Sequence, residues 1–99
     1  MIRHIVLWTF NGETDAERLE QGARAAAALQ ALPAMIPEIQ SFTVASNTVD
    51  IDRNSDLALV AEFTDAAALK AYGDHPEHLK VVALMKQIVA SRAAIDFEV

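Results

Sequence analysis

The sequence predicts an α+β fold in which four strands and two helical segments follow one another as β-α-β-β-α-β. Three observations lead there. Residues 2–10, 39–46, 56–63 and 93–99 are short runs rich in β-branched and aromatic side chains. The stretches after the first and third runs open on helix-capping residues. The second and third runs are joined by a polar loop, residues 47–56.

The elements follow in order. "IRHIVLWTF" (2–10) has no breaker and closes at "NG". "TDAE" (14–17) has capping-box spacing: Thr14 caps the helix start and Glu17 reaches back. The helix runs through "RLEQGARAAAALQAL" and stops before Pro33. Its expected inner stripe is Leu19, Ala23, Ala26 and Leu29 or Gln30. "PAMIPEI" is a connection, and "IQSFTVAS" (39–46) alternates as a strand. "DLALVAEF" (56–63) is the third strand, and "TDAAALKAY" a short helix capped by Thr64. Asp74 and Glu77 then form a D-x-x-E start for another helix, with Pro76 in its first turn, where a missing N–H costs nothing. "AAIDFEV" (93–99) is the last strand, with Ile95, Phe97 and Val99 on one side. This is the ferredoxin-like split arrangement, with helices on one face of an antiparallel sheet.

The other face is apolar too. In the first strand His4, Val6, Trp8 and Phe10 share one side, and Arg3, Ile5, Leu7 and Thr9 the other. In the third, Leu57, Leu59, Ala61 and Phe63 oppose Asp56, Ala58, Val60 and Glu62. A sheet with one wet face alternates more cleanly. A chain of 99 residues that is 53% hydrophobic also carries more apolar surface than one small domain hides. The expectation is one domain, residues 1–99, whose free face packs on a copy of itself to make a homodimeric α/β barrel.

Composition excludes several classes. A net charge of −6 disfavours nucleic acid and anionic membrane surfaces. Without cysteine there is no disulfide, thiol nucleophile or Cys-based zinc site. No stretch reaches a membrane span, and the first residues do not read as a signal peptide, so a soluble cytoplasmic protein is expected. No phosphate loop or dinucleotide fingerprint occurs, and no cofactor is expected. "DIDRNSD" (50–56) resembles the opening of a calcium loop, but Ser55 stands where glycine belongs and Ala61 where glutamate belongs. His75 and His78 are three apart, yet a zinc site needs a third ligand; no metal site is assigned.

The chemistry concentrates in "AYGDHPEHLKVV" (71–82), which holds the only tyrosine and two of the three histidines. On a helix starting near residue 75, His78 shares a stripe with Val81, Val82 and Met85 and points inward. A half-buried imidazole titrates near neutral pH and can take a proton from an acidic carbon or phenol. Tyr72 can polarise the developing oxyanion. The alternative is structural: His78 bonds a backbone carbonyl or Tyr72, and His75 only helps to start the helix.

"RHIVLW" (3–8), "EFTDAAALKAYGDHPEH" (62–78) and "RAAIDFEV" (92–99) together resemble the stress-responsive dimeric α/β-barrel (Dabb) family over essentially the whole chain. The resemblance implies a homodimer of ferredoxin-like halves. The family includes polyketide cyclases in which the last histidine of the His-Pro-x-His segment is the base and the preceding tyrosine assists. By position these are His78 and Tyr72, and His4 matches a strand-one histidine lining the same pocket. With His4, the residues Trp8, Leu57 and Leu59 are expected to wall the ligand cavity; for Trp8 and for Phe10 on the same side, plain core is the other reading. Apart from Arg24, "ARAAAA" (23–28) supplies no polar group to orient a long chain, which leaves room for a small apolar or aromatic ligand. The functional expectation is a homodimeric barrel protein with a small-molecule pocket for an aromatic or polyketide-like compound; whether it is an enzyme stays open, with proton-transfer chemistry by His78 and Tyr72 as the enzymatic reading. The rivals are a non-catalytic stress or assembly protein and a cofactor-independent monooxygenase.

Overall fold

A computed structural model describes residues 1–99. Strand β1 (Ile2–Phe10) leads to helix α1 (Asp15–Gln30), a single 3₁₀ turn (Leu32–Ala34) and strand β2 (Ile39–Ser46). Strand β3 (Leu57–Phe63), helices α2 (Ala66–Asp74) and α3 (Pro76–Ile88) and strand β4 (Val89–Glu98) complete the chain. The strands form one antiparallel sheet in the order β2-β3-β1-β4. This is the ferredoxin-like βαββαβ arrangement, with the second helical segment in two pieces.

Each boundary has a local cause. The Thr14 hydroxyl accepts from the Glu17 N–H at 3.1 Å, and the Glu17 carboxylate accepts from the Glu13 N–H at 2.8 Å, which holds the start of α1. The cap of α2 is Asp65 rather than Thr64: its carboxylate accepts from the Ala68 N–H at 2.8 Å, and an ionised acceptor suits the positive end of a helix. The cap of α3 is His75, not Asp74, which ends α2. Strand β4 begins at Val89, four residues before the expected 93, because α3 passes directly into a strand that pairs with Phe10 and Thr9 of β1.

The face that α1 turns inward also departs from expectation. Ala25 and Leu29 are buried, whereas Leu19 is 75% exposed and Ala23 and Gln30 are exposed. Gly22 lies on the buried side: a Cβ there would stand 3.4 Å from the Phe10 ring. Arg18, one turn earlier, donates to the Gly12 carbonyl at 2.7 Å. These two contacts fix the rotation of α1 and leave Leu19 outside.

The core lies between the helices and one sheet face. Phe63, Leu29, Leu32, Ile36, Leu59 and Val6 are fully buried there, each contributing about 1.5–3 kcal/mol over exposure. Asp56, from the stretch resembling a calcium loop, is used structurally. Its carboxylate accepts from the Phe10 N–H, and its own N–H donates to the Trp8 carbonyl, both at 2.8 Å. No helix is long and apolar enough to cross a membrane.

The opposite sheet face has no helix on it. Register places Ile95, Ile5 and Val60 in one row across β4, β1 and β3, and Ala93, Leu7 and Ala58 in another. Ile95 is 60% exposed in the single chain. The chain exposes 6057 Å², against about 5,500 Å² for a monomer of its mass.

Candidate functional site

The site is set by the break between α2 and α3. Pro76 cannot continue α2, because it lacks an N–H and its ring pushes the preceding residue out of helical geometry. His75 accordingly takes an extended conformation, φ −64° and ψ 135°. Its ring Nδ1 accepts from the Glu77 N–H at 3.1 Å, which caps α3. The end of α2 leaves carbonyls without helical partners. One of them, that of Gly73, accepts from His78 Nδ1–H at 2.9 Å.

That bond fixes the state of His78. A carbonyl oxygen can only accept, so Nδ1 carries the proton, and in the neutral ring Nε2 is the bare basic nitrogen. Burial holds His78 below the ordinary histidine value of 6.5. The Gly73 carbonyl opposes that shift, and the neighbouring His4, Arg92 and His75 side chains reinforce it. At neutral pH the imidazole is therefore a free base.

Tyr72 is buried at the end of α2 among aromatic rings. Its ring centre is 4.4 Å from that of His78, 4.9 Å from Phe63 and 6.2 Å from both His4 and Phe42. Burial pushes its phenol up to about 12, with the Arg92 charge acting the other way. The hydroxyl stays protonated at neutral pH and can donate a hydrogen bond. His4 is also buried, and its Nδ1–H donates to the Asp96 carboxylate on the neighbouring strand β4. Both site histidines thus spend Nδ1 on a fixed acceptor.

These three side chains line one cavity of about 410 Å³ between α3 and the sheet. Trp8 and Leu59 are on its wall. Leu57 is not: it is buried on the β3 row where Ser46 is its neighbour, and on that row it is the Trp8 indole that reaches the cavity. Helix α1 contributes only Leu29, so its alanine run does not shape the space. His75, turned to the α3 backbone, is not on the wall.

Sequence reasoning missed Lys86 and Arg92, which also line the cavity. Lys86 was readable, since it continues the stripe of His78, Val82 and Met85 along α3. Asp96, on the same strand as Arg92, is taken by His4, and Arg92 makes no ion pair within the chain. No three His, Cys, Asp or Glu side chains converge closely enough to hold a metal ion.

Residues 2–99 match the family described as Stress responsive A/B Barrel Domain. An uncharacterized protein of Streptomyces coelicolor is 34% identical over 100 residues, covering 99% of each chain. A crystal structure from Bacteroides fragilis, a dimeric protein of unknown function with a ferredoxin-like fold, superposes with a TM-score of 0.89 at 30% identity, covering 99% of this chain and 95% of that one. A dimeric ferredoxin-like protein of unknown function from Thermobifida fusca gives 0.85 at 32% identity, covering 99% and 90%. With its sheet, helices and site segment all inside the matched region, the chain belongs to the stress-responsive α/β-barrel (Dabb) family.

Proposed function

We propose that the protein is a homodimer whose protomers each carry a small-molecule cavity, and that His78 acts there as a general base on an aromatic or polyketide-like ligand with Tyr72 donating to the developing oxyanion. The observation that carries the reading is the His78–Gly73 bond beside Tyr72. It leaves an unprotonated Nε2 on a ring lining the cavity, with a protonated phenol packed against it. A base and an oxyanion donor side by side are what abstraction of a proton next to a carbonyl requires.

The dimer follows from the bare apolar sheet face, and the two related proteins described as dimeric support it. A second copy is the occupant that supplies a matching apolar face without any further partner.

The experiment is a thermal-shift screen of aromatic acids, phenols and polyketide analogues on the unmodified chain and on His78→Ala. A compound that stabilises only the unmodified chain supports the site and becomes the substrate candidate for turnover assays. Should a broad panel shift neither protein, the catalytic reading falls. The bond to Gly73 then stands as a structural tie, and the chain is a non-catalytic barrel.

A further inference from the structure

The chain is acidic, with 14 Asp and Glu against 8 Lys and Arg. Its cavity reverses that balance: no Asp or Glu lies on the wall, while Lys86 and Arg92 both do. Lys86 follows His78 by eight residues on the same stripe of α3, about 12 Å along the axis. Arg92 stands opposite Trp8 in the β1–β4 register. The acid on the same side of β4, Asp96, is occupied by His4. Neither cation has an ion-pair partner in the chain.

The wall residues differ in exposure. Val6, Leu29, Leu59 and Val81 are buried and apolar, whereas Lys86 and Arg92 are exposed. The cavity is thus a largely apolar trough around the Tyr72–His78 pair, with two unpaired, solvent-exposed cations on its wall. A wholly apolar ligand would leave both unused. A ligand with an apolar body and one negative charge at its end would use the cations as well as the apolar walls.

We infer that the cavity takes an organic monocarboxylate, its apolar body lying between α3 and the sheet and its carboxylate held by Arg92 with help from Lys86. The inference rests on the small-molecule reading above and narrows its ligand class to acids. Guanidinium is suited to the task, because its planar fork meets both carboxylate oxygens at once. The charge of Arg92 also reaches the cavity interior, where it acts on both Tyr72 and His78. A carboxylate on Arg92 would offset that field and make His78 a stronger base once ligand is bound.

The test uses matched acids and amides: phenylacetate, 3-phenylpropanoate, 4-phenylbutanoate and octanoate, each beside its primary amide. Binding is measured by calorimetry on the full chain and on Arg92→Gln, Arg92→Lys and Lys86→Gln. Both residues are exposed, so the variants should melt near the unmodified chain. At least one acid is expected to bind, with its amide about tenfold weaker or more, the loss typical of a hydrogen-bonded charge. Arg92→Gln should cost the acid a similar factor and leave the amide unchanged, and Arg92→Lys should restore part of the loss. Added salt should weaken the acid alone. Amides that bind as tightly as their acids would overturn the inference while leaving the cavity reading intact. So would an acid indifferent to both Arg92→Gln and Lys86→Gln. If none of the eight compounds binds, the inference falls, while the cavity reading is decided by the broader panel of phenols and polyketide analogues.

Discussion

His4 on β1 and Asp96 on β4 are register partners across the sheet, and the imidazole of one donates to the carboxylate of the other. The histidine side chain is 11% exposed and the aspartate 45%. A hydrogen bond to a charged group contributes about 1.5–3 kcal/mol when sheltered. The exposure of Asp96 reduces this to about 1 kcal/mol. Asp96→Ala should lower stability by that amount in urea unfolding. In a His4→Phe background, where Phe63 and Tyr72 offer aromatic neighbours, the same change should cost little. A double-mutant cycle reads the difference, and zero coupling would show that the pair contributes nothing.

His75 divides helix chemistry from ligand chemistry. Its ring caps α3 and does not line the cavity. His75→Ala should destabilise the chain by about 1 kcal/mol, the usual cost of a lost cap, and His75→Asn should recover most of it. Any ligand found for the cavity should bind the folded His75→Ala chain with unchanged affinity. A large affinity loss at unchanged stability would move His75 into the site.

The strands that could be read to the residue, β1 and β2, are those whose β-branched runs end at polar turns, "NG" and "SN". The start of β4 could not be read this way. "VASR" (89–92) has little strand character of its own, and its pairing with β1 imposes the extended form. The face of α1 was misread because alanines at 23, 25, 26, 27 and 28 offer no contrast between sides; the Phe10–Gly22 approach decides it. Within the site, the inward stripe carrying His78 was legible from helical spacing. A bond to a backbone carbonyl was among its readings, but which carbonyl was not legible, since the place of Gly73 depends on how Pro76 breaks the chain. The His4–Asp96 pair and the place of Arg92 arise from strand register between residues about ninety apart in sequence, which local pattern does not encode.

The row of Ile95, Ile5 and Val60 gives the dimer its test. Ile95 is the most exposed of the three, so Ile95→Lys should leave the single chain folded. In a homodimer built on this face it would place one ammonium from each copy in an apolar interface, where burying an unpaired charge costs several kcal/mol. Sedimentation should show a dimer for the unmodified chain and a monomer for Ile95→Lys. A monomeric unmodified chain would remove the barrel assembly.

The pH behaviour of His78 separates a base from a tie. The groups around it are Tyr72 from α2, His4 from β1, Arg92 from β4, and Lys86 and His75 from its own segment. Burial and the neighbouring His4, Arg92 and His75 side chains keep its folded value below 6.5. The unfolded chain therefore binds the proton more readily, so the contribution to stability is full above pH 6.5 and is lost as pH falls through the folded value. His78→Gln can still donate to the Gly73 carbonyl but does not titrate, so it should flatten that acid-side loss in urea unfolding curves. Nuclear magnetic resonance of the imidazole should give a value below 6.5, and Arg92→Gln should raise it, because the Arg92 charge is one of the groups holding it down. If His78 is the base, turnover should rise with pH through the same ionisation and be flat at neutrality. Tyr72→Phe should lower the plateau without removing that ionisation, since the phenol near 12 stays protonated throughout. A rate profile whose ionisation fails to move with the imidazole in Arg92→Gln would assign the base to another group.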